Sequence, residues 1–266
     1  MSSKSDALCR WTLILGGAVA MLAVTWIGVG SLNGPGEVFC LVSLLLFWVA
    51  GSLCLLFCPL FQRPEHTICA ILGLYLCLFL RLCLFDYISP DYVSFLSQWT
   101  QAMRNMTVRQ VLTTPIGDYN MPYLYLLLLI SRLKVYDLYC IKLWSVLADV
   151  LLAVAAGKLA KLLTRREGLV LGAFLGALLA PTMVLNSAYW GQCDGIYACF
   201  SLWGLYYGLK KRPAWSMVFF ALAFSFKLQA VFLMPVFLVY LFARKIKWWQ
   251  LVFFPVTYLV VVLPCV

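Results

Sequence analysis

Apolar runs of about 17 to 22 residues recur along the chain between short polar stretches, and each is long enough to cross a bilayer as a helix. Their boundaries predict spanning helices over 11–32, 38–60, 67–85, 139–160 and 168–187. Further runs end at Lys210–Arg212, reach Lys227, return to Arg244–Lys247, and occupy 248–263 up to Pro264. The pattern changes twice. Residues 86–120 form the longest polar stretch, and 121–130 is apolar but too short to span, so 121–134 is expected to lie along the interface as a helix. Alternating ten-residue segments of the β-barrel kind are absent. The expected architecture is an all-α, polytopic transmembrane bundle of about nine spanning helices, with a long first outer loop carrying interfacial helices.

Composition agrees: 64% of residues are hydrophobic, 11% are charged and the mean hydropathy is +0.95, which excludes a soluble domain. A net charge of +10 is compatible with a nucleic-acid partner. The placement of the charges argues otherwise. Basic residues cluster between apolar runs at Lys158, Lys161, Arg165 and Arg166, at Lys210–Arg212, and at Arg244, Lys245 and Lys247, which is the positive-inside pattern. With Lys4, Arg10 and Arg63 they mark the cytoplasmic side, and among the acids only Asp6, Glu65 and Glu167 join them. The other seven of the ten acids fall on the opposite side or inside the membrane. A multi-pass protein of the cell membrane with its polar site on the extracytoplasmic face is the expectation.

The eleven cysteines, among them Cys40, Cys54, Cys58, Cys69, Cys77, Cys83 and Cys199 in or beside apolar runs, read as small helix-facing residues rather than disulfides. His66 is the sole histidine and no CxxC occurs, so no metal site is expected. Lys4, Arg10 and Ala18-Val19-Ala20 outline a signal peptide, but apolarity continues to Val29, which favours an uncleaved first helix.

Ser89-Pro90-Asp91 is a helix start: serine as cap, proline in the first turn, an acid at the positive end of the dipole. The helix after it is amphipathic, with Tyr92, Phe95, Leu96, Trp99 and Met103 on one face and Asp91, Ser94, Gln98 and Gln101 on the other. Two readings of Asp91 stand side by side, a chemical group at a lipid–water boundary and a dipole-stabilising residue. Asn186–Gly195 is a compact polar loop holding Trp190, Gln192 and Asp194 with two glycines. Lys227, flanked by apolar residues on the acidic side, favours a counter-charge for an anion over a snorkelling anchor. Arg81 reads as snorkelling. Asp149, mid-helix, must face the bundle and reads as structural, with Lys142 two turns away and out of direct reach. Asp118-Tyr119-Asn120 opens the interfacial helix as a turn.

Together these segments resemble the C-type (GT-C) integral-membrane glycosyltransferases. The nearest likeness is to the bacterial branch related to the glycosylphosphatidylinositol mannosyltransferases, and the protein O-mannosyltransferases are more distant. The likeness rests on Asp-Tyr at the start of the outer loop, Asp118-Tyr119-Asn120-x-Pro122-Tyr123, Ile141-Lys142 with Asp149, Trp190-Gly191-Gln192-x-Asp194, and Lys227-x-Gln229 before Pro235. It covers about residues 67–264. It divides the chain into 1–66, two helices preceding the family core, and 67–266, a catalytic core that stops where relatives continue and is expected to be incomplete.

The resemblance implies an inverting transfer of a mannose-like hexose from a polyprenyl-phosphate sugar to an acceptor hydroxyl on a glycan, lipid or protein. It makes Asp91 the general base, with Asp86 as runner-up, and sets Lys227, and less strongly Arg81, against the phosphate leaving group. Asp194, Gln192 and Trp190 would orient sugar and acceptor, with Gln229, Asp118, Tyr119 and Asn120 in the substrate site. Some relatives use a divalent metal, and Asp91 with Asp194 offers a pair for one, but a metal-free, cofactor-free reaction is favoured. The competing class is a transporter or lipid flippase, for which midplane sites and repeated halves would be expected.

Overall fold

The computed structural model describes residues 2–57 and 60–263. Cys58, the expected terminus at Pro264, and the side chains of Lys4, Asp6 and Arg10 lie outside the described residues. The described residues are all-helical, with no strand among them.

The chain runs through α1 (Ser2–Gly30), α2 (Glu37–Phe57) and α3 (Pro64–Leu82), then a stretch carrying a π-helical turn (Tyr92–Leu96), α4 (Ser97–Arg104) and α5 (Val108–Thr113). Next come α6 (Met121–Arg132), α7 (Asp137–Leu163), α8 (Glu167–Leu179), α9 (Pro181–Val184), a second π-helical turn (Leu185–Trp190), α10 (Asp194–Leu209) and α11 (Pro213–Phe226). A 3-10 segment (Leu228–Leu233) leads into α12 (Met234–Phe242), and another (Trp248–Val252) into α13 (Phe253–Val262).

Four stretches among the described residues are long and apolar enough to cross a membrane: Glu37–Phe57, Pro64–Leu82, Asp137–Leu163 and Glu167–Trp190. The other apolar helices are shorter, including Leu15–Gly30 within α1, Pro213–Phe226, Leu228–Phe242 and Trp248–Val262. Prolines mark breaks inside two of these runs: Pro181 opens α9 within Glu167–Trp190, and Pro235 lies in the first turn of α12 within Leu228–Phe242. A short helix is found where one was expected over 121–134: α6, whose 12 residues give about 18 Å of rise, well short of an apolar core of about 30 Å.

Helix α7 is the axis of the bundle. Of its 18-residue apolar window 78% is buried, against 17% for α2, so α2 lies on the outside. Polar contacts tie the two ends of the bundle separately. At one end the Glu167 carboxylate accepts from the backbone N–H groups of Gln62 (2.7 Å) and Arg63 (3.1 Å), and His66 lies 3.3 Å from it. At the other end Asp86 accepts from the Tyr139 hydroxyl and, at 2.9 Å, from the backbone N–H of Asn33.

Arg81 departs from expectation. Its side chain is only 1% exposed and folds into the bundle instead of snorkelling outward. Nη2 donates to Asp149 Oδ2 at 3.0 Å and to the Leu178 carbonyl at 2.9 Å, and Nη1 to the Cys77 carbonyl at 3.2 Å. Ser187 Oγ donates to the same Asp149 oxygen at 2.6 Å. Asp149 faces the bundle as expected, with Arg81 as its partner. Lys142, also fully buried, instead donates to the carbonyls of Leu84 (3.1 Å), Phe85 (2.7 Å) and Tyr87 (2.8 Å). These are carbonyls just past the end of α3, where a cation is favoured by the helix dipole.

Candidate functional site

Four segments distant in sequence meet where α3 ends and α7 begins. The first starts at Ser89. Its hydroxyl accepts the Tyr92 N–H at 3.3 Å, as an N-cap does, and donates to the Trp190 carbonyl at 2.7 Å, so one side chain caps a helix and bridges to the second segment. The buried face of the amphipathic helix is Tyr92, Leu96, Thr100 and Met103; Phe95 turns outward. Trp99 also packs partly against the core, so four of the five residues expected on this face lie inward, despite a π-helical turn over Tyr92–Leu96.

Asp91 stands at the start of this turn. Its Oδ2 accepts from Trp190 Nε1 at 2.8 Å and from Gln192 Nε2. Gln192 is itself held on three sides: its Oε1 accepts the Tyr119 hydroxyl at 2.9 Å and its backbone carbonyl accepts Ser145 Oγ at 2.7 Å. Burial pushes the Tyr119 phenol above its ordinary value, which keeps the proton it donates. The loop expected over 186–194 is partly helical, since the π-helical turn runs to Trp190 and ends at Gly191, whose φ of 77° suits glycine.

Asp194 opens α10 and accepts from Lys227 Nζ and, at 2.9 Å, from Asn186 Nδ2. Lys227 ends α11 and its ammonium lies 6.0 Å from the Tyr119 ring centroid. The expected counter-charge role therefore has an internal occupant, because Lys227 faces Asp194. Asn120, at the start of α6, donates to the Phe224 carbonyl at 3.4 Å and binds α6 to α11. Asp91 thus connects through Gln192 and Tyr119 to Lys227 and Asp194.

Two cavities adjoin this network. One of about 180 Å³ is lined by Asp91, Phe95, Trp99, Asp118, Tyr119 and Gln192. The other, about 620 Å³, is lined by Asp118, Tyr119, Asn120, Lys227 and Gln229 with apolar residues of 226–232. Asp118 and Tyr119 belong to both. A stacked pair, Tyr87 and Tyr189 with centroids 3.6 Å apart, stands behind Trp190. Cys193 is buried and its thiol is pushed up to about 12, so it is not a nucleophile at neutral pH.

Of the residues singled out in the sequence, Asp91, Asp118, Tyr119, Asn120, Trp190, Gln192, Asp194, Lys227 and Gln229 fall in this region. Arg81 does not, because its guanidinium is spent on Asp149 inside the bundle. Asp86 is held by Tyr139 and Asn33. Ser145, which positions Gln192, went unrecognised, although a serine one turn before Asp149 in an apolar helix is a signal. Among the described residues no three of His, Cys, Asp and Glu come close enough to hold a metal ion.

No family model, curated protein or solved structure matches this chain.

Proposed function

We propose that the chain is an inverting glycosyltransferase of the C-type integral-membrane class. It moves a mannose-like hexose from a polyprenyl-phosphate sugar to an acceptor hydroxyl on a glycan, lipid or protein at the extracytoplasmic face of the cell membrane. The observation that carries this reading is the Asp91 carboxylate, gripped by Trp190 and Gln192 at a cavity that shares Asp118 and Tyr119 with a larger one beside Lys227. A carboxylate fixed by neutral donors on one oxygen, with a cation across an adjoining cavity, suits a reaction that takes a proton at one place and releases an anion at another.

In the proposed reaction Asp91 accepts the proton of the acceptor hydroxyl. The freed oxygen forms a bond to the anomeric carbon from the face opposite the donor phosphate. The carbon–oxygen bond to phosphate breaks and polyprenyl phosphate leaves with the electron pair, inverting the configuration. Lys227 has three N–H groups, one engaged by Asp194, and the others are available to the leaving phosphate. Asp194 positions that lysine and contacts the sugar, with Trp190, Gln192, Asn120 and Gln229 lining the rest of the site. No metal or cofactor is required by this scheme.

The membrane arrangement belongs to the proposal too: about nine passes, with α6 and α4 at the outer interface and the shorter helices accommodated by local thinning of the bilayer. The buried Arg81–Asp149 pair favours the transporter alternative, since intramembrane charges often mark ion or substrate paths. A single assay separates the two. The purified chain in lipid vesicles is given polyprenyl-phosphate mannose with candidate acceptors, and release of polyprenyl phosphate is followed. Asp91→Asn is expected to lower turnover about 10²- to 10⁴-fold. Unchanged turnover removes Asp91 as the base. Saturable solute or lipid movement without sugar transfer supports the transporter.

A further inference from the structure

A second site stands apart from the one above and does not depend on the glycosyltransferase reading. A cavity of about 710 Å³ is lined by residues that include Gln101, Arg104, Ser131, Arg132, Lys134 and Asp137. Asp137 is neutralised by Arg104, whose Nε also donates to the Ser131 carbonyl at 3.3 Å. Arg132 donates to the carbonyls of Arg104 (3.3 Å) and Met106 (2.6 Å), which fixes its guanidinium without cancelling its charge. Lys134 is exposed and has no carboxylate within ion-pair distance among the described residues. The cavity therefore keeps two uncompensated positive charges.

Leu133 lines this cavity and also a narrow apolar groove of about 230 Å³ between α2, α6 and α7. The groove holds Phe39, Ser43 and Phe47 of α2, Leu129 of α6, and Cys140, Leu143, Trp144 and Leu147 of α7. Asp137, Cys140, Trp144 and Leu147 follow one face of α7 from the charged cavity down the groove. Ten residues separate the first from the last, about 15 Å of rise, which is half the thickness of a bilayer's apolar core. Phe39 and Leu129 are 40% and 50% exposed, so the groove opens sideways on the exterior of the bundle.

We propose that this cavity and groove together bind one anionic glycerophospholipid of the surrounding bilayer, its phosphate at Arg132 and Lys134 and an acyl chain along α7. The two charges select an anionic headgroup, and the one-leaflet depth fits an acyl chain rather than a long polyprenyl tail. The lateral opening admits a lipid directly from the membrane.

Native mass spectrometry of the full purified chain, titrated with phosphatidylglycerol or phosphatidylcholine, tests this. Phosphatidylglycerol is expected to be retained preferentially. The double variant R132Q/K134Q should bind it about 30-fold more weakly, since each basic group near an anionic lipid contributes about fivefold. K134Q alone, at an exposed residue, should show about a fivefold loss without disturbing the fold. Ser43→Phe, which fills the groove and leaves the charges intact, should also weaken retention. R165Q/R166Q, at an exposed basic pair elsewhere, should leave it unchanged. Equal retention of phosphatidylcholine overturns the proposal, as does undiminished phosphatidylglycerol binding by K134Q or an equal loss in R165Q/R166Q.

Discussion

Replacing Arg81 by methionine keeps much of the side-chain volume and removes the charge from the centre of the bundle. Asp149 Oδ2 then retains only Ser187 as a donor, and the Leu178 carbonyl loses the N–H that reaches it at 2.9 Å. Leu178 lies in the last turn of α8, where carbonyls have no partner within the helix, and Pro181 begins the next segment. Stranding one member of a buried ion pair costs about 3–5 kcal/mol. The orphaned carbonyl adds about 1 kcal/mol or more. At about 2–4 °C per kcal/mol for a chain of this size, a total near 4–6 kcal/mol lowers the unfolding midpoint by about 10–20 °C. A thiol-reactive fluorogenic dye in detergent reads this directly, because Cys77, Cys140, Cys193 and Cys199 are buried and react only when the bundle opens. The double variant R81M/D149L removes both charges and is expected to recover most of the loss, since a buried pair is often replaceable by apolar residues. A midpoint drop of less than about 3 °C for Arg81→Met, or a double variant no better than the sum of the singles, would refute the reasoning.

Gly195→Ala should destabilise by about 1–3 kcal/mol in the same dye assay, because a Cβ there would sit 2.6 Å from Asp149 Oδ1 and force α10 away from α7. Lys142→Met removes the donor shared by three carbonyls, and hydrogen exchange over 84–92 should accelerate about tenfold or more as those groups open to water. Cys193 gives a pH signature. Its thiol is raised from 9.0 to about 12 by burial, so the stability it confers is fully present below pH 9 and lost as pH rises toward 12, where the unfolded thiol ionises first. Cys193→Ala should flatten the alkaline fall in the midpoint of thermal unfolding.

The helical character and the position of α6 were legible because apolar run length is a one-dimensional signal. Pro122 and the abrupt Arg132 bounded a segment too short to cross. Asp91, Asp194 and Lys227 were legible for a related reason, since a charge beside a long apolar run needs a partner. What could not be read was which partner. Arg81 and Asp149 are separated by 68 positions, and each looked solitary when judged by its own helix. Lys142 was measured against carboxylates, yet its partners are carbonyls at a helix end, which leave no mark in composition. The face of the Asp91 helix was legible from an ordinary helical period, with Tyr92, Leu96, Trp99 and Met103 inward and only Phe95 turned out.

The Lys142 contacts have a mechanical consequence. The ammonium fastens Leu84, Phe85 and Tyr87 to the second turn of the most buried helix, so the chain leading to Asp91 departs from an anchored point. Ser89 and Gln192 extend that anchorage to the carboxylate itself. The opposite flank is built differently: beyond Lys227 the chain continues as a 3-10 segment with Leu228, Val231 and Phe232 largely exposed. The region thus has one flank fastened to the bundle through hydrogen bonds and another whose chain, beyond Lys227, packs little against it.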